Sequence, residues 1–178
     1  MRYLSICCVV LWFPAVVVAE RLTPRALDPI SVDTLAHALE RSAVARRLVT
    51  QLESSNVIVH IVSSAQMPGG IGGTTRFVTS RGGYRYLRIT LGAGLPLRHR
   101  SAILAHELQH AWEVARSTAD TVEELKQLFE GEGHRAGEFY ETRAAIEVER
   151  TVMMELMTAG HELRLRSAHT LQTEQVIK

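Results

Sequence analysis

From Arg98 to Arg116 the chain contains neither proline nor glycine, and Pro96 stands just before this run, a common place for a helix to begin. Leu104, Leu108, Ala111 and Ala115 recur at i, i+4, i+7 and i+11, the spacing of an apolar helix back. His106, His110 and Glu113 line up on another face. Within the run, His106, Glu107, Leu108, Gln109 and His110 spell H-E-x-x-H. Residues four apart on a helix stand one above the other, so both imidazoles reach a single metal ion. Glu107 lies about 100° round the helix. From there its carboxylate reaches a water held by that metal without becoming a ligand itself. A chance match of these residue types is the competing reading, and the amphipathic helical context argues against it.

The start of the chain has a different character. Arg2 is followed by an almost wholly apolar stretch, Leu4 to Val18, and Val17-Val18-Ala19 offers small residues before polar Glu20. Residues 1–19 read as a secretory signal peptide. The stretch is short for a membrane span, which needs about 20 apolar residues, and Pro14 interrupts it. An uncleaved N-terminal anchor is the alternative. Cys7 and Cys8 both lie here, so an exported chain has no disulfide and no thiolate ligand. Any metal must then be held by His, Asp or Glu. The formal charge of +1 falls to about zero without Arg2. Overall charge thus gives no argument for nucleic acid or an anionic membrane as a partner. Residues 20–178 are expected to form one domain with a real core, secreted or periplasmic, with no stable membrane insertion after cleavage. Its oligomeric state is not readable.

Along that domain, Pro24 and Pro29 mark an extended lead-in. A helix capped at Ser31 or Asp33 is expected to run to about Leu52, with Leu35, Leu39, Ala43 and Leu48 on its apolar side. Val57 to Val62 reads as a strand, with His60 a structural interruption. Gln66 to Thr75, rich in glycine, reads as a flexible connection. It lacks the Lys-Ser/Thr ending of a phosphate-binding loop. Arg76 to Thr79 and Tyr84 to Leu91 read as a hairpin turning through Arg81-Gly82-Gly83. A short helix is expected over Asp120 to Phe129, and a long one from about Glu138 to Ala159. The fold class is therefore α+β: a short antiparallel sheet beside the H-E-x-x-H helix and a following long helix.

A catalytic zinc usually has three protein ligands and one open position. With Glu141 as origin of the long helix, Ala145, Val148, Val152 and Ala159 fall within about 40° on a helical wheel. Glu141 then lies on the inward stripe, where a carboxylate is costly unless paired or bound to a metal. It is the expected third ligand. Glu138, one turn earlier, and His134, in a glycine-flanked segment, are the alternatives. Glu113 and Arg116 stand where the metzincin pattern requires Gly and His, which argues against that class.

His106-Glu107-x-x-His110 followed by a Glu on a later helix resembles the gluzincin branch of zinc metallopeptidases. Glu141-Thr142-Arg143-Ala144-Ala145 also resembles the Glu-x-x-Ala pattern many of them carry at the third ligand. The resemblance covers mainly residues 98–159. It implies a zincin-like domain whose edge strand binds peptide in extended form. It also implies Zn2+ held by His106, His110 and Glu141, with Glu107 as general base for hydrolysis of a peptide or protein substrate. Tyr140, His134, Tyr84 and Tyr86 are candidate oxyanion donors, and Glu113 is a candidate to orient one of the histidines. A zinc hydrolase of another amide or ester, and a silent metal-binding or interaction domain, are the alternative functions.

Overall fold

A computed structural model of the protein describes residues 24–136 and 139–176. The expected signal peptide at 1–19 and Glu138 lie outside the described residues, and the side chain of His134 is also not described.

The chain enters through a two-residue strand, β1 (Arg25–Ala26), and passes into α1 (Pro29–Arg41) and α2 (Ala43–Glu53). One continuous helix to Leu52 was the expectation, and the structure breaks it at Ser42. That residue is extended (φ −123°, ψ 122°), and its Oγ accepts from the Ala45 N–H to start α2. The first cap also differs from expectation. Asp28, not Ser31 or Asp33, caps α1, with Ser31 closing the reciprocal capping box.

β2 (Val57–Ser64) is followed by β3 (Gly73–Arg81) and β4 (Tyr84–Gly92). β3 and β4 form the expected hairpin. Its central Gly82 and Gly83 both have positive φ (61° and 78°), as a tight two-residue turn requires. The sheet as a whole is not the expected antiparallel one. Its order is β1-β2-β4-β3, with β1-β2 and β2-β4 parallel and only β3-β4 antiparallel. Burial explains the order. Leu87, Ile89 and Leu91 of β4 are essentially fully buried, so β4 takes the centre. β3 exposes Arg76, Thr79 and Arg81 and takes the edge.

α3 (Leu97–Arg116) crosses the inner face of the sheet, beside α1 and α2. Leu104 and Leu108 of α3 meet Val59, Ile61, Leu87 and Ile89 in the core. Buried Arg85 reaches the end of α3, where Nη1 donates to the carbonyls of Val114, Ser117 and Ala119. They lie at and just beyond the C-terminus of α3, where a cation complements the helix dipole.

α4 (Val122–Glu132) follows, with Thr121 and Glu124 forming a capping box. Next come a small antiparallel pair, β5 (Gly133–Ala136) and β6 (Phe139–Thr142), and then α5 (Arg143–Val176), which packs on α3. The long helix expected from Glu138 to Ala159 thus begins at Arg143 and runs past Gly160. The Thr142 hydroxyl accepts from the Ala145 N–H and defines the start. Ala145 and Val152 are fully buried and Val148 packs against the core, so the expected inward stripe holds from residue 145 to 152, whereas Ala159 is only half-buried.

Candidate metal centre

His106 and His110 project from the middle of α3 and are each 6% exposed. Their Nε2 atoms are 3.1 Å apart. Glu141 belongs to β6, two residues before α5, rather than to the long helix. The wheel that placed it therefore does not apply. Its Oε2 nevertheless lies 2.9 Å from His106 Nε2. One donor atom from each of His106, His110 and Glu141 lies within 4.8 Å of the others, a group that could hold a metal ion. Zinc bonds of about 2.0–2.1 Å in a tetrahedron set neighbouring donors about 3.3–3.4 Å apart, close to the 3.1 and 2.9 Å between His106 and its two neighbours.

The far sides of both rings meet carboxylates. His110 Nδ1 is 2.9 Å from Glu113 Oε2. Burial alone would raise the Glu113 carboxyl. His110, Thr142 and Gln109 donate to it and hold it below its ordinary value. An ionised Glu113 can only accept, so the proton sits on His110 Nδ1 and the Nε2 lone pair faces the cluster. Glu149 of α5 brings Oε2 to 3.0 Å from His106 Nδ1. Burial opposes charge on His106. Glu141, Glu149 and Glu107 outweigh it and raise its pKa to about 10. Without a metal the ring is an imidazolium, and a metal ion would take the place of its Nε2 proton.

Glu107 lies outside the donor group and is held against β3. Its Oε2 accepts from the Thr75 hydroxyl at 2.7 Å. Gly73 closes over the other side: a Cβ there would stand 2.9 Å from Glu107 Oε1 and 2.6 Å from Ile103 Cγ2. The glycine-rich segment expected as a flexible connection is thus partly a close-packed strand start. Burial raises the Glu107 carboxyl, Glu141 adds to this, and His110, Thr75 and His106 offset it only in part. A carboxyl raised in this way is suited to accept and return a proton near neutral pH.

A cavity of about 510 Å³ opens over Glu107, His110 and Glu141. Edge strand β3 forms one wall, and Leu125 and Phe129 of α4 form an apolar wall opposite. Phe129 meets His110 edge-on, with centroids 5.5 Å apart. Tyr140 also lines the cavity and donates to Glu130 at 2.7 Å. Tyr84 and Tyr86 are not among its lining residues. They alternate with the inward Arg85 and Leu87, and so face away from α3.

Sequence reasoning missed Thr75, Thr142 and Glu149. Thr142 carried a readable signal, a threonine just before a helical run. Thr75 and Glu149 carried none, because each meets its partner only through the tertiary fold. No family model, no curated protein and no solved structure matches this chain.

Proposed function

We propose that the protein is a zinc-dependent hydrolase of the zincin type that cleaves peptide bonds. The observation that carries this reading is the junction of two groups at one cavity: a His106, His110 and Glu141 donor set, and a buried carboxylate, Glu107, outside it. Two nitrogens and one carboxylate oxygen suit zinc, and three protein donors are what a catalytic site with an open position has. When bound there, zinc would lower the pKa of a water to about 7 and polarise a substrate carbonyl. Glu107 would accept the proton of that water and deliver it to the leaving amine. Thr75 would hold the Glu107 carboxylate in place between the two transfers. Glu113 would keep the His110 lone pair directed at the metal. A peptide is favoured as substrate because β3 is the last strand of its sheet and borders the cavity. An extended chain could pair with its free rim, and the wall of Leu125 and Phe129 would receive an apolar side chain.

The test separates binding from turnover. The exported protein, loaded with zinc, should hold about one ion per chain and cleave a mixed protein substrate in a chelator-sensitive way. Glu107→Gln should keep its zinc and lose activity by a factor of about 100 or more. His106→Ala and His110→Ala should each lose the metal. Full zinc content in both histidine variants would end the metal reading. Undiminished turnover in Glu107→Gln would end the base assignment.

A further inference from the structure

We propose that the sheet face turned away from the helices docks on anionic lipid headgroups, through a row of basic residues that crosses all four strands. The register aligns Arg25 of β1 with His60 of β2, His60 with Arg88 of β4, and Arg88 with Arg76 of β3. Residues directly opposite in register project from the same face. That face is the outer one, because the alternating neighbours Val59, Ile61, Leu87 and Ile89 are in the core. With strands about 4.8 Å apart, the row is about 14 Å long.

Like charges set directly opposite each other destabilise a sheet, so the Arg76–Arg88 pair works against the fold. Its own strands do not relieve it, since β1 to β4 contain no Asp or Glu. Arg76 and Arg88 are exposed, and neither has a hydrogen-bond or ion-pair partner among the described residues. The helices that pack on the sheet lie on its inner face, so no described element covers the row.

The exposed side chains beside the row and the chain's expected route favour a lipid surface over a polymer. The cleft with the donor group is lined by β3 from Gly73 to Phe77, Arg76 included, so the row runs up to its rim. Tyr84 and Val78, near the hairpin tip, are exposed beside the arginines, and tyrosine is suited to the headgroup level. An export signal at 1–19 would bring the chain to a membrane, with Arg25 six residues beyond Ala19. No described helix is long and apolar enough to cross one, so the contact is peripheral.

The probe is co-sedimentation of the exported protein with phosphatidylcholine vesicles, with and without 30% phosphatidylglycerol as the test composition. Binding should require the anionic lipid and weaken as salt rises. Arg76→Gln with Arg88→Gln should reduce partitioning about 30-fold, roughly fivefold for each arginine. Arg143→Gln, on exposed α5, should leave it unchanged. The melting temperature of the double variant should hold or rise, because the like-charge pair is relieved. Equal binding to neutral vesicles would overturn the proposal, as would undiminished binding by the double variant or an equal loss in Arg143→Gln. Tighter, Arg88-dependent binding of a single-stranded oligonucleotide would assign the face to another polyanion and overturn it too.

Discussion

The carboxylate of Glu107 is held from two directions by one strand. Thr75 donates to Oε2, and the bare Cα of Gly73 leaves room for Oε1. This makes Gly73 a position where a single methyl group tests the site. Gly73→Ala would meet Ile103 at 2.6 Å and Glu107 at 2.9 Å. Overpacking of this kind costs about 1–3 kcal/mol. Ile103→Ala should recover most of that stability in the double variant by removing the branched side chain. It should not recover turnover, because the contact with the carboxylate remains. Thermal melts and steady-state rates on the two variants separate these effects. Wild-type turnover in Gly73→Ala would mean that β3 does not set the position of the base.

The elements begin where short polar side chains capture free backbone N–H groups, and these caps also tie elements together. Asp28 caps α1 and also accepts from the Ser63 N–H and hydroxyl on β2. Burial opposes its ionised form. The hydrogen bonds from Ser63 and Ser31 outweigh this and hold its carboxyl well below the ordinary value of about 4. A depressed folded pKa means that the unfolded chain binds the proton more readily. The contribution of Asp28 is therefore complete above about pH 4 and is lost as pH falls through the folded value. Asp28→Asn should destabilise the protein by about 1–2 kcal/mol at pH 7, with the gap to wild type narrowing below pH 4 in denaturant titrations. A gap that stayed constant with pH would mean that the charge contributes nothing. The same caps explain what was legible in the sequence. The α3 helix and the β3-β4 hairpin rest on local signals: periodicity in one, a Gly-Gly turn in the other. The breaks at Ser42 and Thr142 were signalled by residues that also fit inside a helix, so periodicity ran through them. Glu141 reached the donor group even though the helix phase behind its choice does not hold. What carries over is the cost of burying a carboxylate beside a core stripe, which β6 meets as well as a helix would. Sheet order and the basic row were not legible, since β2 pairs with β4 residues 28 positions further along the chain, and only register aligns Arg25, His60, Arg88 and Arg76.

Across the whole molecule, the donor group joins two parts of the chain. His106 and His110 belong to the helix that crosses the sheet, whereas Glu141 belongs to β6, at the entrance to α5. The tie is reinforced by Thr142, which donates to Glu113 at 2.7 Å while capping α5. In the metal-free protein the same point gathers Glu107, Glu141 and Glu149 around His106, whose pKa they raise against the effect of burial. A divalent cation held by His106, His110 and Glu141 would tie β6, at the entrance to α5, to α3. Because the unfolded chain cannot present the three donors together, binding should appear as folding stability. At free zinc about 1,000 times the dissociation constant, the gain is about 4 kcal/mol. For a domain of about 150 residues this corresponds to a rise of about 8–16 °C in melting temperature. Scanning calorimetry with added zinc, then with chelator, should show the rise and its reversal. Glu141→Ala should lose most of it, and Glu138→Ala should keep it. If Glu138→Ala loses the rise while Glu141→Ala keeps it, the third ligand is Glu138. An undiminished rise in a His106→Ala, His110→Ala double variant would put the stabilising zinc somewhere other than this cluster.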